Sequence, residues 1–264
     1  MTRTLAVANQ KGGVGKTTTS VNLAASLAEF GVSVLLVDMD PQANATAGAG
    51  VNRTAESPTA YHWLLGYCSF DESCCSANGG YTIIPSSGDL TAAELALLNA
   101  PDRNFRLSRR MRESPGFEYT IIDCPPSLNV LTVNALNAAS GVLVPMQCEY
   151  LALEGLSALL STVDGVRRSG NRNLELDGIV RTMYDPRNSL SREVSRQLFD
   201  HFRDAVYRTV IPRNVKLAEA PSHGLPGLLY DSRAKGSVAY RALAREMIEK
   251  HRNRNAAGLE KEHA

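Results

Sequence analysis

This chain is short of the residues that mark disulfide-rich, metal-binding and membrane-spanning proteins. It has five cysteines among 264 residues, with no C-x-x-C pair, and the adjacent Cys74 and Cys75 are poorly spaced for a disulfide or a metal. We therefore expect reduced thiols. No run approaches the ~18 consecutive apolar residues of a membrane span, and the first apolar stretch, residues 5–8, is too short for a signal peptide. These absences predict a cytoplasmic protein.

Positive and negative charges are nearly balanced in this chain. The chain has 28 lysines and arginines against 27 acids, so its formal net charge is only +1. The molecule as a whole should therefore have no strong preference for nucleic acid or for an acidic partner, although a local basic face is compatible with this balance. The 44% of hydrophobic residues is ordinary for a globular chain that buries a sizeable core.

Short β-rich runs alternate with longer segments of helical period. Strands are predicted over 4–9, 32–38, 81–86, 118–124, 141–146, 176–183 and 207–212. Helices are predicted over 16–30, 60–67, 91–98, 104–112, 130–138, 153–168, 191–202 and 237–250. This alternation predicts an α/β fold with a doubly wound, mostly parallel sheet flanked by helices. We expect one domain over 1–250 and a disordered tail over 251–264, which lacks apolar periodicity.

Residues 9–20 read NQKGGVGKTTTS and almost match the phosphate-binding loop G-x-x-x-x-G-K-[ST]. The end of that pattern is Gly15-Lys16-Thr17, but Gln10 stands where the first glycine is expected. Lys11, directly after it, is a second lysine in a loop whose chemistry needs one.

The position of this loop between a predicted strand and a predicted helix is the context that a phosphate site requires. Its amides can converge on phosphates at the helix N-terminus, where the helix dipole also favours negative charge. The predicted nucleotide-binding residues here are Lys11, Gly12, Gly13, Val14, Gly15, Lys16, Thr17 and Thr18. The hydroxyl of Thr17 is placed to ligate Mg²⁺.

Acidic residues follow two of the predicted strands. Asp38 ends one strand, Asp40 lies just beyond it, and Asp123 ends another. Ligands of open α/β sheets bind beyond the carboxyl ends of the strands, so these acids can reach the loop. A catalytic or metal-binding role is favoured for Asp40 and Asp123, whereas for Asp38 capping a turn is an equal alternative.

Four segments together resemble the ParA/Soj partition ATPases. They are KGGVGKTT (11–18), LLVDMDPQANAT (35–46), IIDCPPSLNVLTVNAL (121–136) and VIPRNVKLAEAPSHG (210–224). This family belongs to the deviant Walker-A ATPases, as do MinD and the nitrogenase iron protein. The resemblance runs over residues 4–250 and implies a P-loop fold that binds ATP and Mg²⁺.

The resemblance implies roles by position. Lys11 matches the signature lysine that reaches the phosphates of a partner subunit in a nucleotide-sandwich homodimer, and Lys16 matches the lysine that serves its own nucleotide. Thr17 matches a magnesium ligand, and Asp123 holds the magnesium shell through water. Asp40 matches the aspartate that positions the attacking water, with a water-mediated metal contact as a further role.

The adenine surroundings are implied less directly. Met183, Pro212 and Asn214 occupy the corresponding positions. This chain departs from the family where Asp40-Pro41-Gln42-Ala43-Asn44 replaces the usual D-P-Q-G-N. Since alanine restricts φ, we expect a stiffer turn at Ala43 without loss of activity.

Positive charge is concentrated near the end of the chain. Residues 201–254 hold 11 lysines and arginines against five acids, an excess of six. A solvated surface is one interpretation; with the resemblance, a non-specific duplex DNA-binding face is the better one. The first candidates are Arg213, Lys216, Arg233, Lys235, Arg241 and Arg245. For Arg213 and Lys216 a place in the dimer or nucleotide pocket is an alternative.

The resemblance predicts a DNA-segregation ATPase of the cytoplasm and nucleoid. Its ATP-bound dimers would bind DNA and be released when a ParB-type centromere-binding partner stimulates weak hydrolysis. One alternative is a MinD-like membrane ATPase, but residues 251–264 offer only Leu259 as a large apolar anchor. A metal-cluster carrier would need paired cysteines that Cys124 and Cys148 do not match. A nucleotide-dependent scaffold without turnover is the non-enzymatic alternative.

Overall fold

A single twisted sheet organises the part of the chain that the computed structural model describes, residues 2–52, 54, 56–98 and 100–262. Its order is β3-β4-β2-β5-β1-β6-β7-β8. The strands are β1 (Arg3–Val7), β2 (Val34–Asp38), β3 (Cys75–Ser76), β4 (Thr82–Ile84), β5 (Tyr119–Asp123), β6 (Gly141–Gln147), β7 (Glu175–Tyr184) and β8 (Val206–Pro212). All neighbours pair in parallel except β3, which runs antiparallel to β4. The predicted fold class is therefore confirmed.

Helices cover both faces of this sheet. They are α1 (Lys16–Glu29), α2 (Asn44–Gly48), α3 (Ala60–Leu65), α4 (Phe70–Ser73), α5 (Leu90–Leu98), α6 (Arg106–Arg112), α7 (Val130–Ala138), α8 (Ala152–Ser169), α9 (Ser189–Phe202), α10 (Val215–Glu219), α11 (Gly227–Tyr230) and α12 (Lys235–Glu262). Short 3₁₀ turns follow α9 and α10.

The two faces bury separate hydrophobic clusters because side chains alternate along each strand. In β1, Leu5 and Val7 pack with α1 and α12 on one face, where Leu23 and Met247 are fully buried. Ala6 packs on the other face with α3 and α5 to α9. Both faces of the central strands are buried by helices. Only the carboxyl ends of these strands are left for a ligand to approach.

All seven predicted strands and all eight predicted helices are present, with ends that shift by a few residues except at the end of α12. Sequence reasoning missed β3 and the helices α2, α4, α10 and α11. These elements have two to five residues each, too few for a period of 2 or 3.6 to stand out.

The disordered tail predicted from residue 251 is wrong over 251–262, because α12 continues to Glu262. The extension is fastened by His251, which is buried and lies 2.7 Å from both the Tyr119 hydroxyl and the Asp177 carboxylate. The residues after it include alanine, glutamate and lysine, which favour helix. Residues 263–264 of the predicted tail lie outside the described residues.

Candidate functional site

The glycine loop lies at the carboxyl end of β1 and runs directly into α1. Gly13 and Gly15 have φ angles of 73° and 87°, the left-handed region that glycine adopts without strain. A Cβ atom at Gly12 or Gly13 would meet nothing within 4 Å, so the space above the loop is open. Open space beside a glycine-rich loop at a helix N-terminus fits a phosphate group.

The loop is anchored to β7, a more distant strand of the same sheet. Thr182 Oγ1 on β7 donates a buried 2.8 Å hydrogen bond to the carbonyl of Val14. On the first turn of α1, the carbonyl of Thr18 accepts a 2.8 Å hydrogen bond from Asn22 Nδ2. Sequence reasoning named Val14 and Thr18 but missed Thr182, since a lone threonine in a buried strand carries no local signal.

The two lysines of the loop have different surroundings. Lys16 is only 7% exposed, and its Nζ donates to the carbonyl of Lys11 at 3.3 Å. Burial lowers the pKa of Lys16, although the nearby Asp123, Cys124 and Asp40 act in the opposite direction. Lys11 is half-exposed and its Nζ lies 2.5 Å from Glu149 Oε2, beyond the end of β6. The structure therefore puts one lysine inside the site and one on its rim.

Asp123 lies under the loop at the end of β5. Its Oδ2 accepts a 2.8 Å hydrogen bond from Thr17 Oγ1, and its Oδ1 accepts one of 2.8 Å from Ser20 Oγ. Burial, together with the charge of Asp38, raises the pKa of Asp123 to about 8, against these hydrogen bonds. A hydroxyl in contact with a buried carboxylate beneath a phosphate cradle fits a magnesium site in which Thr17 would bind the ion and Asp123 would hold its water shell. Sequence reasoning missed Ser20.

The side chain of Asp38 binds the turn that follows β2. This residue is the register partner of Asp123 on the adjacent strand and is fully buried. Its carboxylate accepts hydrogen bonds from Thr46 N (2.8 Å), Thr46 Oγ1 (2.7 Å) and Asp40 N (3.1 Å). Burial raises the pKa of Asp38 to about 6 despite these donors. Of the two interpretations that the sequence left open, these contacts favour capping of a turn.

Asp40 begins the segment 40–46, which enters the first turn of α2 at Asn44 and which we call the 40–46 loop. The side chain is 7% exposed, and its Oδ1 accepts a 3.0 Å hydrogen bond from Gln42 N. Ala43 in the same loop has φ 53° and ψ 31°, the left-handed conformation that the family's glycine would adopt freely. The stiffer turn that the sequence predicts here stays a prediction, and the observed φ is one that alanine adopts at a cost.

The three residues predicted to surround adenine line one cavity of about 170 Å³ beside the loop. Met183, Pro212 and Asn214 share it with Gly15 and Thr18. Asn214 also caps α10, since its Oδ1 accepts a 3.3 Å hydrogen bond from Leu217 N. Met183 has a φ of 47° and its Sδ contacts Gln147 Nε2. The structure thus brings these residues together at the nucleotide loop, and their roles stay predictions.

The six basic residues predicted to face DNA fall into two groups. Within the described residues, the exposed side chains of Arg213, Arg233 and Lys235 have no ion pair or hydrogen bond. The other three have protein partners. They are Lys216 with Glu219 at 2.9 Å, Arg241 with Glu29 at 2.6 and 2.9 Å, and Arg245 over the Phe30 ring at 5.5 Å.

The described part of the chain contains no group of three or more His, Cys, Asp or Glu side chains that could hold a metal ion. Cys124 and Cys148 are both buried, and burial raises the pKa of the Cys148 thiol to about 11. No helix among these residues is long and apolar enough to cross a bilayer.

Comparison with known proteins agrees with this geometry. Residues 2–176 match the family model described as an AAA domain. The chain is 50% identical over 258 residues to the chromosome partitioning protein ParA of Caulobacter vibrioides, covering 96% of this chain and 97% of that protein. It is 47% identical to the sporulation initiation inhibitor protein Soj of Bacillus subtilis, covering 94% and 98%.

A solved structure is similar over nearly the whole chain. It is that of cobyrinic acid a,c-diamide synthase from Mycobacterium smegmatis with bound ADP and magnesium, with a TM-score of 0.81, 39% identity and 93% of each chain covered. The two partition proteins are more similar in sequence to the chain described here than the synthase is. The chain described here belongs to the ParA/Soj family of partitioning ATPases.

Proposed function

We propose that this chain is a DNA-segregation ATPase whose ATP-bound dimer binds DNA and is released by hydrolysis. The observation that carries the proposal is the separation of the two loop lysines. Lys16 is buried against the phosphate cradle, whereas Lys11 lies on the rim and is held by Glu149. Lys16 is placed to serve the nucleotide of its own subunit, and Lys11 is then available for the nucleotide of a neighbouring subunit.

ATP and Mg²⁺ are the ligands that the site's chemistry fits. The amides of 12–18 and the ammonium of Lys16 bind the phosphates, and the adenine ring enters the cavity lined by Met183, Pro212 and Asn214. Thr17 would contribute a hydroxyl ligand for the metal, and Asp123 would orient its water shell. When bound, Mg²⁺ would supply positive charge that neutralises the phosphates. Asp40, which faces the same site, orients the attacking water.

Dimerisation follows from Lys11. A cation supplied by a second subunit can increase the rate of phosphoryl transfer by ~10³–10⁵. Two positively charged rims approach one another only when phosphates lie between them, so ATP binding favours the dimer. Hydrolysis then weakens the contact and returns the protein to monomers. The chain would act as a nucleotide-controlled switch.

The basic residues provide the DNA contact. Arg213, Arg233 and Lys235 are exposed and carry no counter-charge within the described residues, so they can neutralise phosphates without breaking internal contacts. Pairing two copies in a dimer doubles the number of such cations, and binding by counterion release rises steeply with that number. A ParB-type partner that stimulates hydrolysis would complete the cycle and make the protein nucleoid-associated.

The test is to measure affinity for random duplex DNA with ATP, with ADP and without nucleotide, at two salt concentrations. We expect tight, salt-sensitive binding only with ATP. Equal affinity in the three nucleotide conditions would contradict the switch. Sedimentation with anionic vesicles in the same buffers tests the MinD-like alternative, and phosphate release tests the scaffold without turnover.

A further inference from the structure

The loop that carries Asp40 is attached to β4 by one serine. Ser86 lies two residues beyond the end of β4 and is only 6% exposed. Its Oγ donates a 2.7 Å hydrogen bond to the carbonyl of Asp40, and its N donates one of 2.8 Å to Thr46 Oγ1. One residue therefore contacts the first and the last residue of the 40–46 loop.

These contacts continue into the sheet beneath the loop. Thr46 Oγ1, which accepts from Ser86, itself donates to the buried carboxylate of Asp38 at 2.7 Å. Strands β2 and β4 are paired in parallel, with Val37 opposite Ile84, so the two attachment points come from adjacent strands. The loop is thus held from β2 through Asp38 and from β4 through Ser86.

The Asp40 carbonyl accepts a second hydrogen bond, 2.9 Å from Ala43 N within the loop's own turn. Without Ser86, the Asp40 carbonyl keeps only this local bond, while Asp40 N still donates to Asp38 Oδ1 at 3.1 Å. Among the described residues, the Asp40 carboxylate accepts a hydrogen bond only from Gln42 N, which belongs to the same loop. Ser86 is therefore the side chain that fixes the carbonyl side of Asp40.

We infer that Ser86 is a positioning residue for Asp40, acting on the hydrolysis step rather than on nucleotide binding. This inference rests on the proposed role of Asp40 in orienting the attacking water. Ser86 lines neither the phosphate loop nor the adenine cavity, so its removal should leave ATP affinity unchanged. A misplacement of about 1 Å in a catalytic group can lower a rate by about 10²-fold.

The experiment compares Ser86→Ala with Ser87→Ala in the full-length protein. Ser87 is the adjacent residue, but its Oγ donates to Asp89 Oδ2 at 3.0 Å and lies 3.4 Å from Thr59 Oγ1. Among the described residues it makes no hydrogen bond with the 40–46 loop. Binding of a fluorescent ATP analogue gives the dissociation constant, and phosphate release at saturating Mg·ATP and DNA gives kcat. We expect Ser86→Ala to lower kcat at least about 10-fold, with the dissociation constant within twofold of the parent. Ser87→Ala should match the parent in both.

Thr46 provides a second pair of variants should Ser86→Ala fold poorly. Thr46→Ser keeps the hydroxyl that accepts from Ser86 N, and Thr46→Val removes it while keeping the size. We expect Thr46→Ser to retain kcat and Thr46→Val to lose it, again without a change in nucleotide affinity. Equal decreases in both variants would overturn the inference.

Asp40→Ala separates failure of this inference from failure of the proposed function. If Asp40→Ala abolishes hydrolysis while Ser86→Ala stays within twofold of the parent, Ser86 does not position Asp40 and the proposed function stands. If Asp40→Ala hydrolyses ATP normally, the proposed role of Asp40 is itself wrong. A Ser86→Ala variant that weakens ATP binding as much as it lowers kcat would show a general structural effect and overturn the inference.

Discussion

Lys11 Nζ lies 2.5 Å from Glu149 Oε2 of the same chain, and both side chains are nearly half exposed. An exposed ion pair of this kind contributes only about 0–1 kcal/mol, because water screens it. The phosphates of a neighbouring nucleotide can therefore replace Glu149 as the anion that Lys11 contacts. Lys16, buried and within 3.3 Å of the Lys11 carbonyl, has no such freedom.

Replacing each lysine by alanine should therefore have different results. We expect Lys11→Ala to bind ATP within a few-fold of the parent but to stay monomeric, because Lys16 still serves the nucleotide in its own subunit. Lys16→Ala should lose ATP binding itself. Equilibrium titration with a fluorescent nucleotide and analytical ultracentrifugation with ATP, without DNA, measure the two properties.

Arg196→Ala is the matched control for this prediction. It removes the cation of another exposed ion pair, with Glu193 at 2.7 Å, which lies within α9. It should dimerise with ATP like the parent. Lys11→Ala dimers that form at the parent's concentration and hydrolyse at the full rate would show that Lys11 has no role in a partner's site.

Ala43 is a second position where the structure makes a definite prediction. Its φ of 53° is left-handed, which costs a residue with a Cβ roughly 1 kcal/mol relative to glycine. We expect Ala43→Gly to raise the free energy of unfolding by about 0.5–1 kcal/mol in urea denaturation, with part of the gain offset by the greater entropy of an unfolded glycine. Ala47→Gly is the control. Ala47 lies in α2, where the same change should lower stability by about 0.5–1 kcal/mol.

Asp177 gives the protein an acid-sensitive anchor for α12. Its buried carboxylate contacts His251 Nε2 at 2.7 Å and Tyr207 OH at 2.7 Å, and its carbonyl accepts from Lys250 Nζ. Burial by itself would raise the pKa of Asp177. The hydrogen bond and charge of His251, with the bond from Tyr207, outweigh burial and hold that pKa well below its ordinary value.

A lowered pKa means that the folded state releases this proton more readily than the unfolded state does. The stabilisation is therefore complete above the unfolded pKa near 4 and is lost as the pH falls below it. We expect Asp177→Asn to lower the free energy of unfolding by about 3 kcal/mol at pH 7, since it leaves buried donors without their anion. The difference from the parent should shrink between pH 5 and pH 3.

Urea denaturation at several pH values measures this effect. Asp164→Asn serves as the control, because its carboxylate pairs with Arg167 at 3.1 Å on an exposed helix surface. That variant should follow the parent at every pH. A parent–Asp177→Asn difference that is constant from pH 7 to pH 3 would mean that folding does not change the pKa of Asp177.

The nucleotide loop could be predicted from sequence because all of its determinants are local. Lys16 and Thr17 follow the glycines within a few residues, and the strand and helix on either side have clear periods. Asp123 could be predicted for a similar reason, since a lone acid at the end of a buried strand points to the carboxyl edge of the sheet.

The residues that hold the site together could not be predicted in this way. Ser20, Thr182 and Ser86 make contacts across 103, 168 and 46 residues of sequence. A single hydroxyl within a helix, a strand or a loop carries no signal of its partner. The same holds for Arg241: a count of charges cannot show that Glu29, on another helix, already neutralises it.

The basic residues of α12 differ in whether an acid already neutralises them, and this difference predicts which of them bind DNA. Lys235 is exposed without a counter-charge among the described residues, whereas Arg241 makes a bidentate contact with Glu29 and a further bond to the Ser232 carbonyl. Arg241 must give up these contacts to reach a phosphate, and Lys235 need not. The two residues lie six positions apart on the same helix, so they form a matched pair.

We expect Lys235→Ala to weaken ATP-dependent binding to random duplex DNA and to reduce the slope of log K against log salt by about 1 for each phosphate that the variant no longer neutralises. Arg241→Ala should leave both quantities nearly unchanged and instead lower thermal stability. Fluorescence anisotropy at four salt concentrations gives affinity and slope together. If Arg241→Ala lowers the slope and Lys235→Ala does not, the ion pair with Glu29 opens on binding and the DNA face lies nearer α1.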